Sequence, residues 1–280
     1  MQFLEIARNK MLSLLALLPY LHVTMFRENR TIRMYMFADA YDAIEENLFY
    51  NVYFKTEELS DADTVVDLGA HVGAFTLYAL LNCKYGSRII SIEPNPYAFK
   101  ILINNAILFR RIRSDIELYP LNVAVWSSRS LVPLKLTSWS ENVHVTRPSS
   151  EGKSAKKTIH VCALTMFDIL KICKGKNVVL KIDIEGAEYE IFKNSTWLED
   201  ERISHIAVEI HGNIEPIVKV LKNSGFQVYE RLIRYTSSAA KLWLIFRPLW
   251  YSIMMYFYRH MVANTIKEPQ IRILYASRKA

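Results

Sequence analysis

The chain has 280 residues, 51% of them hydrophobic, with only 8 glycines and 9 prolines, which supports one sizeable core with appendages and excludes a disordered or low-complexity protein. Lys and Arg outnumber Asp and Glu by 35 to 28, a formal net charge of +7; this admits an anionic partner, but no nucleic-acid-binding motif accompanies basic clusters such as Arg110, Arg111 and Arg113, and a plain basic protein fits equally well. Cys83, Cys162 and Cys173 are widely spaced and form no CxxC pair, which argues against a structural zinc site and fits a reduced, cytoplasmic setting.

Residues 1–60 read as a leader packing on a domain that spans 61–280. Residues 11–18 form a short apolar run behind Arg8 and Lys10. The run is too short to cross a bilayer and no small-residue cleavage pattern follows it, so it reads as an amphipathic helix lying on the domain or on a membrane. Residues 43–55 mix aromatic and acidic side chains and end in a β-prone run at 49–54.

From residue 64 a regular alternation begins. Strands are expected at 64–68, 88–93 and 116–119, with helices at 72–83 and 94–110, the second having Pro near its start. Residues 121–165 break the pattern with β segments at 132–136, 143–146 and 158–162, an inserted β arm carrying Trp139 and His144. Alternation then resumes: helix 165–173, strand 178–183, helix 187–193, strand 203–210, helix 215–223, strand 226–231. An apolar, aromatic insertion occupies 232–269, and a last strand is expected at 270–277. Strands alternating with helices predict an α/β Rossmann-like fold, a mostly parallel sheet with helices on both faces.

Four motifs fall at strand ends, where open α/β sheets bind ligands. The first runs from Asp67 to Gly73, with Gly69, Ala70, His71 and Val72 between them. Its glycines let the backbone approach a ligand, and the following helix aims its N-terminus there. An acid ahead of the turn repels pyrophosphate but suits a ligand with a cationic amino group. The second is Glu93, placed to accept hydrogen bonds from ribose hydroxyls, with Asn95 assisting it or capping the next helix. The third is the run Lys181 to Glu188. Asp183 suits a cationic ligand or an acceptor hydroxyl, Glu185 suits the hydroxyl, and Glu188 falls where a helix dipole favours any acid. The fourth ends in Glu209 and His211, either of which suits the base that takes a proton from a hydroxyl.

The strings DLGAHVG, SIEPNP, NVAVWS, LTMFDIL, LKIDIEGAE and AVEIH together resemble the FkbM-type methyltransferase family, from about residue 51 to about residue 230. The resemblance implies a class I methyltransferase fold, a seven-stranded sheet with its last strand antiparallel. It further implies S-adenosylmethionine as methyl donor and a hydroxyl, often on a sugar or polyketide, as acceptor. Carried over by position, Asp67, Gly69, His71 and Gly73 would hold the amino acid end of the donor, Glu93 and Asn95 its ribose, and Asn122 would lie near the adenine. Asp183 would sit beside the methyl group, with Glu185 and His211 as further catalytic candidates and no metal. His71 departs from the Asn common in that turn, and 232–269 is longer and more apolar than usual.

If the strands flanking that insertion pair in one sheet, it leaves and returns on the same side and does not cross a membrane. Residues 242–260, with Trp243, Trp250, Tyr251, Tyr256 and Tyr258, then cover an acceptor site, meet another subunit, or lie on a membrane surface. The expected acceptor is a small molecule or glycan rather than nucleic acid. A nicotinamide oxidoreductase predicts a GxGxxG turn without the preceding acid. A membrane-associated protein that kept the fold without catalysis predicts loss of Asp67, Glu93 and Asp183. An RNA methyltransferase predicts an NPPY-like motif at 183–186; none of these is present.

Overall fold

The computed structural model describes residues 21–27, 30–37, 41–48, 51–136, 143–145, 157–234 and 270–278. Two central strands, β3 (Thr64–Leu68) and β10 (Val178–Ile182), are buried at all five positions, which is what a strand covered on both faces requires. They pair in parallel with each other, and β4 (Arg88–Ile92) and β5 (Glu117–Leu121) extend the sheet beyond β3. On the other side of β10 lie β11 (Ile203–Glu209), β13 (Gln270–Ser277) and β12 (Gln227–Arg234). The order is β12-β13-β11-β10-β3-β4-β5, and β13 is antiparallel to both neighbours. This is the class I methyltransferase arrangement, seven strands in one mixed sheet.

The chain winds one way through β3, β4 and β5 and the other way through β10 and β11, so the winding reverses between β3 and β10. The reversal opens a crevice at the carboxyl ends of these strands. The crossing helices are α3 (Ala74–Asn82), α4 (Pro96–Ile112), α6 (Glu188–Lys193) and α7 (Glu215–Asn223). Asn95 caps α4 through Tyr97 N at 3.0 Å, and Pro96 follows as its first residue. Helix α5 (Met166–Ile172) opens with a capping box between Thr165 and Asp168.

The β arm is a separate sheet of β6 (Ala124–Val125), β7 (Ser130–Leu136), β8 (Val143–Val145) and β9 (Lys157–Leu164), ordered β6-β9-β7-β8. The Trp139 side chain and the His144 side chain lie outside the described residues, as do the run at 11–18 and residues 235–269. Arg234 pairs with Gln270 across β12 and β13, so the insertion begins and ends at one edge of the sheet. No helix among the described residues is long and apolar enough to cross a membrane. All three cysteines are free, Cys83 and Cys173 buried and Cys162 exposed.

The described part of the leader contains both strands and helices, in a detail that the sequence pattern does not give. Strands β1 (Leu21–Arg27) and β2 (Arg30–Met36) form an antiparallel hairpin, followed by α1 (Tyr41–Leu48) and the short α2 (Thr56–Ser60). Ile32, Met34 and Met36 are buried in period-two alternation. Asn105, buried within α4, exchanges hydrogen bonds with Tyr35 N (2.6 Å) and Tyr35 O (2.7 Å) and also donates to Val72 O (2.7 Å), which stitches the hairpin to the domain. The β-prone run is not a strand over its described part, 51–54. Its aromatics go inward instead: Tyr53 and Phe54 pack on Phe75, and Tyr78 donates to Phe54 O at 2.9 Å. Side-chain burial outweighs intrinsic strand preference there.

Candidate active site

The turn from β3 to α3 is wedged between neighbouring strand ends. Gly69 has φ +76°, and a Cβ there would stand 1.7 Å from the Asp183 carbonyl oxygen, so only glycine fits. Gly69 N and Ala70 N both donate to Ile92 O at 2.9 Å. His71 is also left-handed, at φ 51°. Gly73 N-caps α3 with φ 94°, and a Cβ there would meet Leu102 Cδ1 at 2.9 Å.

A cavity of about 340 Å³ opens over this turn, within the size range of small-molecule sites. Gly69, His71, Glu93, Asn95, Asp183 and Glu185 line it. Asp67, Gly73, Asn122 and His211 do not. Asn122 buttresses the loop after β4, donating to Glu93 O (2.8 Å) and Pro94 O (3.1 Å). His211 stands behind Glu185 and Glu209.

The Glu93 end is built on main chain. One Glu93 oxygen accepts from His71 N and the other from Asn95 N, each at 2.8 Å. Burial pushes its pKa up to about 7 despite those bonds. Asn95 uses its carbonyl oxygen to cap α4, and its buried amide nitrogen has no partner.

Asp67 is turned to partners within the fold. Lys181, Asp67 and Ser91 stand in one row across β10, β3 and β4, and Thr76 of α3 donates to Asp67 at 2.7 Å and lies 2.7 Å from Ser91 Oγ. Asp67 and Ser91 are thereby held against α3, while Lys181 of the same row reaches the cavity. Burial raises the Asp67 pKa, with Lys181 acting against it. The Lys181 ammonium lies 3.3 Å from Asp67, 3.2 Å from Asp183 and 2.9 Å from Gly69 O. Burial works against that charge, but Asp183 and Asp67 outweigh it and hold the lysine pKa above its ordinary value. The carboxylate expected to meet a cationic ligand thus already has an internal partner.

The opposite end of the cavity is a side-chain network. Tyr53 OH bridges Asp183 Oδ2 (3.0 Å) and Glu209 Oε2 (2.5 Å). Burial opposes ionisation of Asp183, but Lys181 and His211 more than offset it and keep its pKa below the usual value. Burial and the neighbouring Asp183 push Glu209 up to about 7. Two adjacent carboxyls are thereby driven apart, one held ionised and one poised near neutrality. Glu188 sits fully buried at the start of α6. One of its oxygens accepts from Ile184 N and Gly186 N at 3.2 Å and meets His211 Nδ1 at 3.1 Å. Burial alone would lower the His211 pKa, but Glu188, Asp183 and Glu185 raise it to about 9. A pKa held that far above its ordinary range favours the imidazolium at neutral pH, which makes Glu209 the better suited of the two base candidates. Among the described residues, Asp183, Glu209 and His211 each offer a ligand atom within 4.8 Å of the others.

Lys181 opens the third motif but receives no role from the sequence, and the sequence does not single out Tyr53 or Ala43, Glu46 and Asn47 of α1, which also line the cavity. Lys181 did leave a signal: a lysine inside the apolar run VVLKI is out of place in a doubly covered strand. Tyr53 left none, since its partners lie 130 and 156 residues away.

Known proteins that the chain resembles in sequence include methyltransferases. A family model described as "Methyltransferase FkbM domain" matches residues 67–238. The chain is 26% identical over 170 residues to "Hexuronic acid methyltransferase AglP" of Haloferax volcanii, covering 60% of this chain and 65% of that protein. It is 26% identical over 208 residues to "Methyltransferase 1" of Beauveria bassiana, covering 66% and 80%. The chain thus spans just under two thirds of the Haloferax relative. Among solved structures, a methyltransferase FkbM from Methylobacillus flagellatus KT aligns with TM-score 0.41 at 16% identity, covering 69% of this chain and 50% of that one.

Proposed function

Because the chain belongs to the FkbM methyltransferase family, whose methyl donor is S-adenosylmethionine, we propose that it methylates a hydroxyl of a sugar, glycan or related small molecule. The cavity suits the donor on its own chemistry. Carboxylates from Glu46, Glu93, Asp183, Glu185 and Glu209 line it, against the single lysine Lys181, a balance that favours a cationic ligand. Glu93 and Asn95, whose buried amide nitrogen is unpartnered, would hold the nucleoside end, beside Gly69, which also lines the cavity. When bound, the donor supplies an electrophilic methyl group on a sulfonium.

The observation that carries the hydroxyl reading is Glu209. Its Oε2 is held by Tyr53 OH at 2.5 Å, and burial beside Asp183 brings its pKa to about 7. Its Oε1, 3.7 Å from His211 Nε2, is then the atom that takes the acceptor proton. Tyr53 fixes the rotamer of that carboxylate, and the His211 imidazolium stabilises its ionised form. Asp183, kept ionised by Lys181, would favour a cationic ligand beside it without competing for the proton. Reacting atoms held close and in line account for the remaining rate gain.

The name of the Haloferax relative points to hexuronic acids, which offer both hydroxyls and a carboxylate. An acceptor carboxylate needs no base and would be repelled by Asp183 and Glu209, so the hydroxyl is favoured. The test incubates the protein with methyl-labelled S-adenosylmethionine and a panel of free and linked hexoses and hexuronic acids. The expected product is an alkali-stable methyl ether. An alkali-labile methyl ester, formed equally well by Glu209→Gln, would overturn the hydroxyl assignment.

A further inference from the structure

The matched family region begins at residue 67, yet one wall of the cavity comes from α1, upstream of it. Ala43, Glu46 and Asn47 line the cavity at i, i+3 and i+4, one face of the helix, while Ile44 and Leu48 are buried in the core and α1 lies against α3. Asn47 is 6% exposed. Its amide nitrogen donates to Ala43 O at 2.7 Å. That carbonyl can only accept, so the orientation of the amide is settled, and the Asn47 carbonyl oxygen is left buried without a donor. An orphaned buried acceptor is costly unless something fills it.

Two buried orphans of opposite polarity, the Asn95 nitrogen and the Asn47 oxygen, thus belong to residues that line the cavity. They belong to different ends. Asn95 adjoins Glu93. The end of α1 is tied to the Tyr53 segment, with Val52 N donating to Glu46 O at 3.3 Å, and Tyr53 reaches Asp183 and Glu209. A ligand matching both orphans presents acceptors at one end and a donor at the other. A nucleoside carrying an amino acid tail does this.

Resting on the assignment of S-adenosylmethionine as donor, we infer that Asn47 is a binding residue of this chain for the α-ammonium of its methionine tail, accepting from that group through the carboxamide oxygen. Recognition of the tail then comes in part from the leader, not only from the glycine turn.

The test is calorimetric titration of the full chain with S-adenosylmethionine and with 5′-methylthioadenosine, which keeps the nucleoside and lacks the tail. Asn47→Leu should weaken S-adenosylmethionine about tenfold or more, as for a hydrogen bond to a charged group, while methylthioadenosine binding shifts by less than about twofold. Asn47→Asp keeps an acceptor and should keep the preference for S-adenosylmethionine over methylthioadenosine. Equal S-adenosylmethionine binding by the wild type and Asn47→Leu would overturn the inference. Should Asn47→Leu lose both ligands, Asn47→Asp decides: retention of the preference upholds the assignment and its disappearance overturns it. Failure of the wild type to bind either ligand would instead remove the donor assignment itself.

Discussion

The two ends of the cavity are built differently. At the Glu93 end the partners are main-chain amides of residues two and 22 positions away, set by a turn jammed between strand ends. At the Tyr53 end they are side chains from the leader, β10, β11 and the loops that follow, joined over separations of up to 156 residues. The first holds one buried carboxyl on main-chain donors. The second keeps two carboxyls and an imidazole in unlike protonation states within a few ångströms. The nucleoside of a methyl donor needs the former kind of cradle, and the donor's tail and a hydroxyl that gives up its proton need the latter.

Substitutions should separate the two ends. The largest effect is expected at Glu209: Glu209→Gln should lower kcat by about 10²–10⁴-fold, the usual worth of a general base, while calorimetry shows S-adenosylmethionine bound as before. A joint loss of binding and rate would mean that the two ends are not separable. At the opposite end, Gly69→Ala should abolish donor binding, since the added carbon meets fixed backbone at 1.7 Å. Gly73→Ala should do less, because the Leu102 methyl it meets at 2.9 Å can turn aside.

Lys181 joins the two ends, and Lys181→Met tests that role. It strands the buried Asp67 carboxylate and should cost about 3–5 kcal/mol in chemical denaturation. Adding Asp67→Asn should recover much of the loss; no recovery would show that Lys181 supports the fold by packing alone. The gentlest test is pH. Glu209 must be ionised, so kcat/KM should rise as pH passes about 7, and the charge on His211 is lost above about 9, where the rate should fall again. Glu209→Gln should remove the acidic limb and His211→Asn the alkaline one.

The central sheet was legible because its strands carry apolar runs ending at glycine or acid. The boundaries expected for β3, α7 and β13 coincide with those observed. Residues placed by local backbone were legible for the same reason: Gly69, His71, Glu93, Asn95 and Asp183 all line one cavity. Asp67 does not line that cavity, since Thr76 of α3 and Lys181 engage its carboxylate. The hairpin at the start and the contributions of Asn47 and Tyr53 were hidden because they depend on docking between distant segments, which leaves no periodic trace. The protonation of His211 was hidden likewise, being set by the buried Glu188 on another element.

The donor site is tested most directly by titrating the wild-type chain with S-adenosylmethionine in a calorimeter, with S-adenosylhomocysteine as competitor. One saturable site per chain, competed by the product and abolished by Gly69→Ala, is the predicted result. Absence of binding, or binding undisturbed by that substitution, would place the donor elsewhere and contradict the assignment of this cavity.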